Sequence, residues 1–394
     1  MMYSRVFLLT GMTLFISSQL YAQPDTASVQ DGIYNRPFIT SIGKTAVGGY
    51  VEGNTNSFVE EGIPEGFSFE LRRFNLFLFS GISEHIRLIS ELEFEHGTEE
   101  IVLETALVDF EINPALKLRG GILLPPIGAF NNNHDSPQWE FVERPLVATE
   151  IIPATLSEMG FGVHGKFFPG NFVLSYDAYL TNGLGDGVIL NQEGRTRLAS
   201  GKSDTRFAKD NNGSPALSAR VAIGRYRWGE LGFSHYGGIY NTYLIEGDQV
   251  DQKRRLNIFA FDYHANVRLA EIKGEIAYAS IDMQEDLKEL FGEKQWGGHM
   301  DIIVPLWRPH LLSYRESVLN LNLRLERVDY NVGSFRSTGR RIYDETNALV
   351  PGISFRPTDD TVFRLNYIRR WHKDLLGNPV VKSAGIQFGF ATYF

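Results

Sequence analysis

The sequence predicts an all-β fold: a transmembrane antiparallel β-barrel of about 16 strands, with short periplasmic turns and long extracellular loops. Three observations predict it. Strand-length segments alternate apolar and polar residues with period two, and the connections between them alternate short with long. The 394 residues also include 28 Phe, 17 Tyr and 39 Gly, and no apolar run beyond the N-terminus approaches the roughly 20 residues a membrane helix needs. Aromatic side chains suit a pleated, half-buried surface and glycine suits tight turns, so a barrel carries its membrane signal as alternation and not as bulk hydropathy.

Charge and cysteine content narrow the function classes. The formal net charge of −9 becomes −10 once Arg5 leaves with the leader described next, which argues against nucleic acid as a partner. Cysteine is absent, which is compatible with an oxidising compartment.

Taken in order, residues 1–22 read as a secretory signal peptide, with Arg5 in the n-region, an apolar core from Val6 to Ile16 and cleavage placed after Ala22. That core is too short to span a bilayer. Residues 23–43 lack strong periodicity and read as a periplasmic lead-in, and residues 44–394 as the outer-membrane barrel. Its expected strands are 44–55, 67–80, 86–96, 101–112, 116–124, 158–168, 171–181, 216–225, 229–241, 255–264, 267–281, 295–304, 318–330, 345–356, 361–372 and 383–394. Even-numbered connections are tight, such as Asn113-Pro114-Ala115 and Pro169-Gly170, whereas the odd ones run as long as 125–157 and 182–215. An even strand count returns both termini to the periplasmic side. Residues 305–317 are the exception, a long inner turn.

Alternation within strands supports the same reading. Leu319, Leu321, Leu323 and Leu325 face one way, and Asn320, Asn322, Arg324 and Glu326 the other, as a wall between outer-membrane lipid and water requires. In 67–80 the apolar parity switches at Arg72-Arg73, and a β-bulge there would turn both arginines towards water. The last segment sets Ile386, Phe388, Phe390 and Phe394 on its apolar face.

Two resemblances refine this. Gln387, Gly389, Thr392 and Phe394 resemble the C-terminal insertion signal of bacterial outer-membrane barrels, with Thr392 where an aromatic is usual; this implies the barrel-assembly machinery as a partner of the final strand. Glu70-Leu71-Arg72-Arg73-Phe74, the passage from Leu118-Arg119-Gly120 to Pro125-Pro126-Ile127-Gly128, Glu143-Arg144-Pro145-Leu146 and Tyr179-Leu180-Thr181-Asn182-Gly183 together resemble the phosphate-selective porin O and P family. The match covers roughly the first half of the mature chain. It implies a sixteen-stranded, usually trimeric porin, here a homotrimer, passing small hydrophilic solutes that include anions such as phosphate. It assigns phosphate chemistry to no particular residue.

A passive pore needs a polar lumen and a constriction, and neither a catalytic group nor a cofactor. Inward parity gives ten basic residues, Arg72, Arg87, Lys117 and Arg119 among them, with Arg73 added by the bulge, beside twelve acids that would pair with such residues across strands. The loop 125–157 is the expected constriction, because the loop after the fifth strand of porins usually folds inward; it offers Asn131, His134, Asp135, Trp139, Glu140 and Arg144. His134-Asp135 supplies too few ligands at no recognised spacing for a metal and reads as a surface turn. No nucleophile elbow, H-E-x-x-H or phosphate loop is present, so the expected protein is not an enzyme. A barrel hydrolase with a dispersed site, a plugged barrel with a structural or adhesive role, and a soluble exported β-sandwich are the alternatives.

Overall fold

The computed structural model describes residues 28–37, 40–42, 44–202, 207–210, 212–309, 314 and 316–394. The expected leader lies outside the described residues, as do parts of the lead-in and of the inner turn 305–317. Sixteen strands form the barrel: β1 (Thr45–Glu60), β2 (Ile63–Gly81), β3 (Ile86–Glu95), β4 (Glu100–Asn113), β5 (Leu116–Leu123), β6 (Glu158–Phe167), β7 (Phe172–Thr181) and β8 (Ala216–Arg225). They continue as β9 (Gly229–Ile239), β10 (Arg255–Val267), β11 (Ala270–Ile281), β12 (Lys294–Trp307), β13 (Val318–Asp329), β14 (Glu345–Thr358), β15 (Thr361–Lys373) and β16 (Val381–Tyr393). Each pairs antiparallel with its neighbours in sequence, and β16 closes on β1 through pairs such as Phe390 with Gly53 and Tyr393 with Tyr50. Closure leaves no edge strand, as hydrocarbon demands.

Alternation sets the two faces. On β13, Leu321 and Leu325 are exposed at 48% and 39%, while Asn320, Asn322, Arg324 and Glu326 are buried on the lumen side. The register slips in β2, where Glu52 pairs with Arg73 but Gly53 pairs with Leu71, so Arg72 is the extra residue of a bulge. A second slip in β4 pairs Glu91 with Thr105 and Leu92 with Leu103, making Glu104 the extra residue. Each bulge points one more charged side chain at the lumen than strict alternation allows.

The first long loop differs from expectation. Pro64 and Gly66 suggest a loop over 56–66, yet β1 and β2 run on and meet at Glu61-Gly62, both at positive φ, 47° and 85°. A two-residue turn with that geometry matches the twist of a hairpin, and a further register slip beside Pro64 absorbs the residue that cannot donate to the ladder.

Apolar packing lies inside the barrel. Ile127, Val147, Ile151, Ile152 and Leu156 of the loop 124–157, together with Leu184, Val188 and Leu198 of the next long loop, pack on inward Tyr236, Ile258, Ala260, Ala277 and Val328. Across the lumen, Ile33 and Tyr34 pack on Ile89, Leu107 and Phe79. Residues 28–37 of the expected lead-in therefore sit against the inner wall.

Candidate constriction inside the barrel

After β5, Pro125-Pro126 ends ladder donation and the chain turns at Gly128, with φ 64°. A Cβ there would stand 2.4 Å from Glu275 Oε2, so only glycine allows this approach. Gly128 N donates to Ser234 Oγ at 2.9 Å, and Ala129 N and Phe130 N donate to Glu275 Oε2 at 3.0 and 3.3 Å. The loop is thereby fixed to β9 and β11. Asn131 closes its two ends, donating to the Pro125 and Leu156 carbonyls at 2.8 and 3.1 Å and accepting from Leu156 N at 2.7 Å.

Beyond Asn131 the loop crosses the lumen, with charged wall residues receiving it. Arg36 of the N-terminal segment binds Asp135 at 2.9 and 2.8 Å and Glu91 at 2.6 Å. Glu140 accepts from Arg356 Nε at 2.6 Å and from the Ser354 hydroxyl. Arg364 donates to the Phe141 carbonyl at 2.8 Å, and Val142 N donates to Asn366 at 2.7 Å. Glu143 takes Arg72 at 2.9 Å and Gln387 at 2.7 Å, its own carbonyl accepts from Arg324 at 2.7 Å, and Leu146 N at the start of α1 (Leu146–Glu150) donates to Glu326 at 3.1 Å. Contacts from β2 round to β16 make this loop a layer across the pore.

Charges within the loop follow from these partners. Burial alone would raise the Glu143 carboxyl, but the Arg72 guanidinium overrides it and holds it at about 2. Burial likewise opposes Asp135, and Arg36 keeps it below the ordinary carboxylate range. Burial pushes His134 down, favouring the neutral ring.

Two cavities flank the layer. Towards the short-turn rim, about 290 Å³ is bounded by Phe130 and Trp139 of the loop and by Glu230, Asp262, Glu271, Lys273, Glu275, Asp301 and Arg324 of β9 to β13. Towards the long-loop rim, about 300 Å³ is bounded by Arg72, Arg73, Arg144, Lys202 and Arg370 with Glu93, Glu95, Glu100, Glu104 and Glu143.

Among the sequence candidates, Arg72, Arg73, Arg144 and Trp139 line these cavities. Arg87 and Lys117 stand near the short-turn rim, both on Glu111 at 3.2 and 3.1 Å. Arg119 lines neither cavity: it is buried against Asp109 at 2.7 and 2.9 Å, Tyr179 at 2.9 Å and Tyr34 at 2.8 Å. Asn131 and Glu140 are buried as fasteners of the loop. His134-Asp135 is no surface turn, since both residues are buried, at 0% and 2% exposure; His134 meets Glu104 of the β4 bulge at 3.0 Å. Sequence reasoning missed the inward N-terminal segment, whose Gln30 donates to Asp177 at 3.0 Å. Its signal was faint, a few polar and aromatic residues without a period.

A closed sixteen-stranded barrel, apolar outside and crossed inside by the loop 124–157, defines a bacterial outer-membrane protein of porin architecture. No known family's sequence profile matches the chain. A protein of Aquifex aeolicus described as uncharacterized is 26% identical over 344 residues, 80% of this chain and 73% of its own. The anion-selective porin of Comamonas acidovorans superposes with a TM-score of 0.53 at 12% identity, covering 89% of this chain and 99% of that one. The outer membrane channel DcaP of Acinetobacter baumannii gives 0.51 at 9% identity, covering 91% and 99%, and the outer-membrane protein OmpT of Vibrio cholerae gives 0.52 at 10%, covering 91% and 100%. At these identities the likeness is one of fold.

Proposed function

We propose that the chain is a passive porin-type channel for small hydrophilic solutes, in which the loop 124–157 sets the size limit. The observation carrying this reading is a polar, fully pinned layer with a charged cavity on each face, the arrangement a constriction needs. Solutes need no cofactor and no bond is made or broken. The outer cavity balances five basic against five acidic residues, whereas the inner sets five carboxylates against Lys273 and Arg324. Buried Arg220 holds Glu230 and Asp262, so the lining is close to balanced and favours neutral solutes. The Arg72-Arg73 resemblance to phosphate-selective porins favours anions, and a reversal potential in a salt gradient chooses between them. A homotrimer is part of the proposal, supported by the trimer form described for OmpT of Vibrio cholerae.

Liposome swelling tests the size limit. Proteoliposomes should admit small sugars and exclude larger ones at a sharp cutoff. Impermeability to the smallest solutes would favour the plugged, structural barrel.

A further inference from the structure

Glu91, Glu104 and His134 each offer one ligand atom, and the three atoms lie within 4.8 Å of one another at buried positions. They come from three places: β3, the extra residue of the β4 bulge, and the loop. Ligands of one first-row divalent ion sit about 2.0–2.2 Å from it, so such atoms must gather within this range of mutual distances.

His134 is oriented as a ligand would be. Its Nδ1 lies 3.0 Å from the Asn131 carbonyl and its Nε2 lies 3.0 Å from Glu104 Oε2. A carbonyl only accepts, so Nδ1 carries the proton. Nε2 is then the ring atom turned towards Glu104 Oε2, the position a ligand atom takes. A ring N–H held by a backbone carbonyl is also the usual outer support of a metal-bound histidine.

Charge points the same way. Arg36 is shared by Glu91 at 2.6 Å and Asp135 at 2.8 Å, and Glu104 meets the His134 ring at 3.0 Å, so three carboxyl groups gather on one guanidinium and one imidazole. A cation set among buried carboxyl oxygens offsets the cost of burying them. Two further observations are independent of the cluster's own hydrogen bonds. Thr105, fully buried and paired opposite Glu91, has a hydroxyl with no partner. Glu104 also lines the outer cavity, which supplies an entry path.

We propose that Glu91, Glu104 and His134 bind one first-row divalent cation, of the Zn²⁺ or Mn²⁺ kind, that ties the crossing loop to the wall between β3 and β4. The imidazole selects against Mg²⁺ and Ca²⁺.

The test uses the full-length barrel in detergent, dialysed against EDTA and titrated calorimetrically with Zn²⁺ alone. One Zn²⁺ per chain is expected, with affinity weakened by roughly tenfold or more in Glu104→Gln and in His134→Gln and unchanged in His85→Gln, at the exposed inner turn. Heat-modifiable gel mobility checks that each variant is folded. Should His134→Gln not fold, visible absorption of the Co²⁺-loaded unaltered barrel still decides, because ligation at this site gives d–d bands that Mg²⁺ in excess does not remove. Absence of stoichiometric binding, or equal binding by Glu104→Gln and the unaltered barrel, overturns the proposal and leaves a direct hydrogen bond between His134 and Glu104.

Discussion

Arg72 and Arg119 show how two arginines, both expected in the lumen, come to do different work. Arg119 is held bidentately by Asp109 and capped by Tyr34 and Tyr179, so Arg119→Gln leaves a buried carboxylate uncompensated and should cost about 3–5 kcal/mol of stability, read from denaturant unfolding of the detergent-solubilised barrel. Its ion selectivity should not change. Arg72 is the bulge residue, faces the outer cavity and holds Glu143. Arg72→Gln should shift the reversal potential towards cations and cost less stability than Arg119→Gln, because Glu143 is partly exposed and keeps its bond from Gln387. Equal effects of both variants on both readouts would contradict this division. The Arg72–Glu143 pair has a definite pH window. A carboxyl held at about 2 when folded adds stability above its unfolded value of about 4.3, and loses it as pH falls towards 2. Conductance set by this contact should therefore stay constant between about pH 5 and 8.

Strands were the legible elements. Period-two alternation places a leucine row on β13 because lipid and water select opposite residues on the two faces, and the parity break at Arg72-Arg73 marks a bulge because one extra residue reverses every side chain beyond it. The bulge at Glu104 went unread: its flanks Leu103 and Thr105 do not show a clean break in hydrophobicity. The β1–β2 hairpin was hidden by Pro64 and Gly66, which normally mark loops. Where alternation is legible it makes a sharp prediction. Leu321 is 48% exposed opposite Ile353 and Val304, so Leu321→Arg should reduce barrel stability by about 2–4 kcal/mol if it lies near mid-membrane, whereas Leu269→Arg, in an inner turn, should cost about 0–1 kcal/mol. Equal losses in an unfolding assay in lipid vesicles would mean that β13 does not face hydrocarbon.

At the scale of the whole molecule, the inside of the barrel was hardest to read. The loop expected to fold inward, 125–157, does so, but its partners are scattered over β2, β4, β9, β11 and β13 to β16, joined by single side-chain contacts that no sequence period records. Residues 28–37 enter by the same kind of contact, with Gln30, Tyr34 and Arg36 each reaching a different strand. Such contacts place one layer across a wide barrel, with a small cavity on each of its faces. Single-channel recording in planar bilayers tests that layer most directly, comparing the intact chain with one in which residues 131–154 are replaced by a short glycine-serine linker. The intact chain should give small, steady conductance steps and the shortened one steps several-fold larger. Equal step sizes would show that the loop is not the barrier, contradicting the account.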